Sequence, residues 1–593
     1  RVLHSGQAHS VPVSLFHGRQ PANATVQLAL TKGGQALAQA EGRIQGRGDL
    51  TLPVPALAEG EYELQLSGKG FQATSAVRVE EGTLVFLESD KPLYKPGQTV
   101  HFRVLTLDSS LRPLPAAVTL EVADAKGLKI YKKELQSDDY GMITADLPIS
   151  DDPNLGVWKA TVQAGKRQAQ LDVRVERYVL PKYEVTVNLA KEWALASEPI
   201  VGSIAAEYSY GKPVQGEVEI VATRYVGTWQ EFARVTRELA GQVDFSLPAA
   251  GYVAGVPGEQ GMGNVQLDVT VREKATGYEE KTTRLVTVAQ APVVISAIPE
   301  SVAFKPGLPL SVLFVAETPD KKPADAVVAV HISYMKDKAR GDGETRQVTV
   351  KGGQGLLTVT PPADAIGLSV VAYSGDSYAN LALRAGHSPT GSFVHVGQTS
   401  TGALRVGDTA HFRVTATKQA TGFYYEVLAR GRVVFSDYSR SSDIALTLTP
   451  AMAPSARLLV YQILPTSEVA ADYVPFSVSG DYPQQVQASF SQAEVRPGDP
   501  VDVNVQTEGP ARVGLAAVDR SVFILAENRL NLQQVFDELE RLYQKPQVEL
   551  HEATPFDKIT TWGAGDVFRD AGVVVLSNQQ VPAGKEYESP VWR

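Results

Sequence analysis

The strongest constraint on this fold is a turn followed by a strand that returns six times. The stretch KPLYKPGQTVHFRV (Lys91–Val104) puts a Pro-Gly turn before alternating apolar residues. The same rhythm recurs around Gly6, Gly97, Gly202, Gly307, Gly407 and Gly498, at spacings of 91, 105, 105, 100 and 91 residues. Apolar side chains stand three, five and seven positions after the glycine: Val100, Phe102, Val104; Leu310, Val312, Phe314; Ala410, Phe412, Val414; Val501, Val503, Val505. The first repeat has His9, Val11 and Val13 there, and the third is displaced by one, to Ile204, Ala206 and Tyr208. A period of two marks a strand with one buried face. Glycine supplies the positive φ that some turns need. Repeats of about one hundred residues are whole domains, since solenoid units run to ~20–50.

Two further marks keep register with the first. Pro21, Pro113, Pro213 and Pro323 each precede a strand with apolar residues five and seven positions on, as in Val118 and Leu120. Leu52-Pro53, Leu147-Pro148, Leu247-Pro248, Thr360-Pro361 and Thr449-Pro450 each close a strand. Short strands separated by turn signals at this spacing predict β-sandwiches. The expected fold is therefore all-β: tandem seven-stranded fibronectin/immunoglobulin-like sandwiches. One short helix near the C-terminus interrupts them. NLQQVFDELERLYQ (Asn531–Gln544) carries Leu532, Val535, Phe536, Leu539 and Leu542 on one helical stripe. The sixth repeat reaches GLAAVDRSVFIL and then gives way to this helix, so half a sandwich is expected to be completed from elsewhere.

Composition narrows the function. Net charge is −10, which argues against nucleic acid as a partner. No apolar run approaches the ~20 residues of a membrane span. With no cysteine, the chain has no disulfide, thiol nucleophile or cysteine metal site. A multi-domain extracellular animal protein usually carries disulfides, so a bacterial secreted, periplasmic or cell-surface location is expected.

LESDKPLYKPGQTVHFRV, ERYVLPKYEVTV (Glu176–Val187), YSYGKPVQGEVEI (Tyr208–Ile220), GLAAVDRSVFIL and GAGDVFRDAGVVVLSN (Gly563–Asn578) together resemble the thioester-protein family that includes alpha-2-macroglobulin and complement components. The resemblance implies macroglobulin-type domains at 1–83, 84–177, 178–290, 291–385 and 386–480, the first half of a sixth at 481–527, and a helical linker with the start of a bait segment at 528–593. It implies the scaffold half of a broad-range endopeptidase inhibitor that traps proteases after bait cleavage. Its partners would be those proteases and the remaining C-terminal half of the same protein. A complement-like opsonin and a tandem-sandwich adhesin are the alternatives.

No catalytic constellation is apparent, and neither enzyme activity, cofactor nor metal is expected. His4 and His9 are the closest histidine pair and read as surface or edge residues, with metal ligation as the alternative. GHSPTG (Gly386–Gly391) lacks the spacing of a nucleophile elbow. PGEQGMG (Pro257–Gly263) has Gly-Glu-Gln without the cysteine of a thioester and reads as a loop. GRGD (Gly46–Asp49) reads as a charged turn, with integrin-type recognition as the alternative. SDDYG and SDDPN read as turns, with calcium as the alternative. Asn23-Ala24-Thr25 fits a glycosylation sequon. The polar tail SNQQVPAGKEYESPVWR (Ser577–Arg593) is the candidate cleavage segment, with Lys585 and Arg593 as its basic sites.

Overall fold

The computed structural model describes residues 2–515 and 559–587, apart from 18–19, 109–110, 178–181, 209, 257–260, 337–338, 420, 480–485, 493, 497, 561 and 585. The chain is all-β, a series of tandem sandwiches. Contacts divide it into two compact units. One comprises Arg1–Tyr178, Ser388–Glu549 and Gly563–Gly584; the other comprises Val179–His387, Leu550–Trp562 and Lys585–Arg593.

In the second repeat, a sheet ordered Leu84–Ser89, Thr99–Leu107, Met142–Pro148 shares one core with a sheet ordered Leu93–Tyr94, Arg167–Val175, Gly156–Ala164, Ala117–Ala123, Lys129–Gln136. The fourth repeat has the same order. The fifth stacks Val394–Gln398, Thr409–Ala416, Asp443–Thr447 on Arg432–Ser439, Phe423–Ala429, Ser455–Ile463, Val469–Ser477. In the first and third repeats one ladder pair, Gln45 with Arg47 or Ala240 with Gln242, joins the two layers into a continuous sheet.

The repeated turn is where the chain changes layers. Leu93 and Tyr94 pair in parallel with Arg174 and Val175 of one sheet, and the residues after Gly97 enter the other sheet at Thr99. Gly97 has φ 79° and Gly307 φ 80°. The glycine N–H is satisfied by a carbonyl at or within two residues of the strand-closing Leu-Pro mark or its equivalent: Gly97 by Ser150 O, Gly307 by Pro361 O, Gly407 by Leu448 O. The first and third sequence marks therefore touch.

The third repeat corrects the sequence reading. Gly202 is no turn residue; it lies inside the strand Ile200–Tyr208, where a Cβ would meet the Asn188 carbonyl and the Phe245 ring. The turn is made by Leu195–Glu198, whose closing bond from Glu198 N–H to Leu195 O matches that from Gln98 N–H to Lys95 O. Ser197 thus stands where Gly97 stands, and its φ is not positive. A type I turn accepts serine at that position. Counting from Ser197 puts buried Ile200 and Ile204 at the common offsets, so the displacement by one disappears.

The proline mark also has a structural cause. Pro113, Pro213 and Pro323 form the same isolated bridge, to Leu107, Glu207 and Glu317. A left-handed glycine packs on two of these rings and on Pro21: Gly46, Gly241 and Gly353 would each place a Cβ within 2.9 Å of a proline Cβ. In the sixth repeat only Val486–Phe490 and Val503–Thr507 pair among the described residues, leaving Phe490, Val486 and Val503 exposed. The run 531–544 expected to be helical lies outside the described residues. The α-helix found among them is Ala564–Ala571, designated α1.

Candidate functional site

Most strands here alternate buried and exposed residues, as Gly156–Ala164 does. Three strands of the fifth repeat do not. FYYEVLA, SARLLVYQI and the first half of VAADYVPFS are almost continuously buried. A sheet buried on both faces reads this way. Its inner face, with Tyr425, Val427, Leu458 and Val460, belongs to the fifth core. Its outer face carries Tyr424, Glu426, Leu428, Arg457, Tyr461 and Tyr473, and a strap formed by residues 563–580 lies across it.

Helix α1 anchors the strap. Asp566, only 4% exposed, accepts the N-cap N–H of Gly563 at 2.9 Å and the N–H of Gly584 at 2.6 Å, and its other oxygen pairs with Arg569. A carboxylate in the first turn satisfies free amide donors and the helix dipole together. Gly572, at φ 90°, ends the helix, with Val573 N–H bonded to Phe568 O at 2.9 Å. Toward the sheet, Arg457 donates to the Asp570 carbonyl at 2.8 Å and the Tyr473 hydroxyl donates to the Asp570 carboxylate. The Phe568 ring meets Tyr461 edge-on at 5.4 Å.

Beyond α1 the strap runs extended, and Val574 and Leu576 pack on the first core. Gln580 then forms a parallel bridge beside Glu468: its N–H donates to Ser467 O and its carbonyl accepts from Val469 N–H, both at 2.8 Å. Glu468 is 1% exposed and accepts hydroxyl bonds from Ser388 at 2.5 Å and Thr390 at 2.6 Å. The strap is thus tied at both ends to the fifth repeat and laid over the first.

Burial sets the protonation of this site. Burial, with Asp570 beside it, pushes the Tyr473 hydroxyl up, so it remains a donor. Tyr461 is raised by burial and by neighbouring Glu426. Glu426, 8% exposed, is pushed up to about 7 by desolvation; the Tyr461 hydroxyl, donating at 3.3 Å, and the Arg47 charge only partly offset this. Arg47 is itself paired with Asp437 at 3.1 Å.

The structure does not bring the sequence-predicted candidates together. Lys585 and Arg593 lie outside the described residues, as does most of the Gly-Glu-Gln loop, residues 257–260. His4 and His9 sit on the two edge strands of the first sheet, Val2–Ser5 and Ala8–Ser14, but are not surface residues: both are buried, and His9 Nε2 accepts the His4 N–H at 2.8 Å. Burial lowers both, His4 to about 3. The Arg-Gly-Asp of GRGD begins the strand Arg47–Pro53 rather than forming a turn tip, and only Gly46 turns. Asp138 accepts the N–H groups of Tyr140 and Met142, both at 2.9 Å, and pairs with Arg512. Ser388 is a ligand of Glu468. The strap clamp itself was missed, although the loss of alternation in three strands signals it.

Three family models match: the alpha-2-macroglobulin bait region domain over 394–525, the MG2 domain over 84–175 and macroglobulin domain MG3 over 177–252. The chain belongs to the alpha-2-macroglobulin family. Ovostatin of Gallus gallus is 25% identical over 571 residues, covering 84% of this chain and 38% of its own length. Thioester-containing protein 1 allele S3 of Anopheles gambiae is 25% identical over 510 residues, covering 81% and 36%. Among solved structures, trypsin-activated alpha-2-macroglobulin of Escherichia coli aligns at 13% identity over 82% of this chain and 39% of its own, with TM-score 0.43. This alpha-2-macroglobulin-family chain spans little more than a third of the length of the curated relatives it matches. Its bait-region match covers the fifth sandwich and the exposed hairpin and ends at 525, ahead of the 528–593 segment expected to carry the bait.

Proposed function

We propose that this chain is the scaffold of a broad-range endopeptidase inhibitor, in which cleavage of a segment beside the strap releases a held conformation that closes on the protease. The carrying observation is the strap. Its helix cap gathers Gly563 and Gly584 on one carboxylate, and its far end is bridged to Glu468. A cut in the flanking segment, at Lys585 or Arg593, would separate a clamped element from what it restrains. The chain's role is mechanical and not enzymatic. No helix among the described residues is long and apolar enough to cross a membrane, and a secreted, periplasmic or cell-surface location suits an inhibitor that meets foreign proteases.

We assign macroglobulin-type domains to 1–83, 84–177, 178–290, 291–385 and 386–480, a half domain to 481–527 and the linker and bait start to 528–593. The exposed apolar hairpin of the sixth repeat supports completion of that sandwich by a further part of the same protein. An opsonin reading draws on the thioester-containing relative, which matches at the same identity as ovostatin. The intact protein is incubated with trypsin, elastase and subtilisin. First cuts confined to 528–593, a mobility shift and retained protease support the inhibitor. Confined cuts with attachment to surfaces instead support the opsonin, and scattered cutting sinks both.

A further inference from the structure

Between the first sheet, the outer face of the fifth sheet and the strap lies a cleft of about 290 Å³. Leu66 and Phe71 wall it from the first sheet, Leu428 and Ile463 from the fifth, and Phe568 and Val574 from the strap. Glu426 and Tyr461 open into it. Among the described residues Glu426 has a single hydrogen bond, from Tyr461, and no ion-pair partner, because Arg47 is held by Asp437. The other charged lining group, Arg432, is felt by His4 and His9 and by Asp108.

A buried carboxyl without a cation is costly to ionise, and a cation brought with the ligand removes that cost. Apolar walls with a few convergent polar groups are the usual make-up of a small-ligand site, and this volume lies just below the ~300–1,000 Å³ range of such sites; Glu426 is the one acidic group among the lining residues. We propose that the cleft binds a small apolar primary amine, its hydrocarbon between Leu66, Phe71, Leu428 and Phe568 and its ammonium on Glu426. Charge complementarity selects an amine over an alcohol or a carboxylic acid of the same length. Because Phe568 and Val574 belong to the strap, the occupant also braces the strap against the fifth sheet.

The probes are n-hexylamine, n-hexanol and hexanoate, titrated calorimetrically into the intact protein at neutral pH. Hexylamine should bind about tenfold or more tighter than hexanol, as expected of a charge-assisted hydrogen bond over a neutral one, and hexanoate should not bind. Glu426→Gln, which keeps the side-chain shape, should bring hexylamine to the hexanol value, and Leu428→Trp should abolish both. Leu66→Phe, a milder filling, serves if the tryptophan variant does not fold. Equal binding of amine and alcohol overturns the proposal, as does an unchanged amine affinity in Glu426→Gln, or amine binding that survives filling of the cleft.

Discussion

Replacing Glu426 with glutamine isolates one buried carboxyl and makes its effect on the strap measurable. In the closed state the group titrates near 7; once solvated it returns to the ordinary value of 4.5. That difference corresponds to roughly 3 kcal/mol between closed and opened states, at about 1.4 kcal/mol per unit. The raised value fixes the sign. Below 4.5 both states are protonated and strap closure has its full strength. Between 4.5 and 7 the opened state has lost its proton while the closed state keeps it, so rising pH favours opening. Above 7 both are ionised and the loss is complete.

The assay is hydrogen exchange at the amides that tie the strap to the fifth sheet, Gln580 bonded to Ser467 O and Val469 bonded to Gln580 O, corrected for intrinsic rates. Local opening free energies are read in this way. Protection should fall by about two orders of magnitude between pH 4.5 and 8 in the native protein. In Glu426→Gln that slope should vanish, with protection at pH 8 well above native. Tyr461, Tyr424, Arg47, Asp49 and Phe568 remain in both proteins, so the difference belongs to Glu426. Identical slopes in the two, or a native profile that rises with pH while the variant matches it, would refute the reasoning.

Three other perturbations have equally definite outcomes. Arg457→Met leaves the Asp570 carbonyl without its buried donor, and should weaken the strap by about 1–3 kcal/mol, seen as faster limited proteolysis within 563–584 while the rest of the chain resists. Gly353→Ala combines φ 84° with a Cβ placed 2.7 Å from Pro323 Cβ, whereas Gly352→Ala, at φ 56°, meets nothing within 4 Å; thermal unfolding should show the first destabilised by about 1–3 kcal/mol and the second less. His4 is held neutral by burial, its value lowered to about 3, so its contribution is present above 6.5 and lost as pH falls toward 3; His4→Phe should flatten the acid limb of unfolding, followed by exchange in the strand Phe71–Glu81 that pairs with Val2–Ser5.

The tandem sandwiches are legible in the sequence because each carries several local marks with separate physical causes. The glycine turn crosses the chain between layers, the proline makes a fixed bridge and receives a left-handed glycine, and the chain at the Leu-Pro mark supplies the carbonyl that accepts the turn residue's N–H. Where one cause was met by a different residue, the reading slipped. Ser197 makes the third turn without a positive φ, and the nearby Gly202 mimics the mark, although that glycine is demanded by close approach of Asn188 and Phe245. The histidine pair misled for a similar reason: polar residues at strand starts suggest exposure, whereas the parallel pairing of Val2–Ser5 with Arg78–Glu81 buries them. The strap's contacts join residues about one hundred positions apart, such as Arg457 and Asp570, and no local pattern encodes such a pairing.

One local pattern does mark where the strap must land. A strand covered on one side alternates, and a strand covered on both sides cannot. Leu84–Ser89, at the start of the second repeat, and the three strands of the fifth sheet lose alternation. In the fifth repeat this leaves Leu428, Leu459, Tyr461 and Ile463 on a face that the sandwich core does not use. Left in water that face would be a large apolar patch, which soluble surfaces rarely tolerate without a partner. The polar residues among them, Glu426, Arg457 and Tyr473, are placed where a second layer supplies hydrogen bonds, and two of the three find them on Asp570. Glu426 finds only Tyr461. A face built wholly for permanent cover would carry an apolar residue there. A carboxyl with no ion-pair partner makes closure weaker at neutral pH than it need be, which is the behaviour that the proposed release of the strap requires.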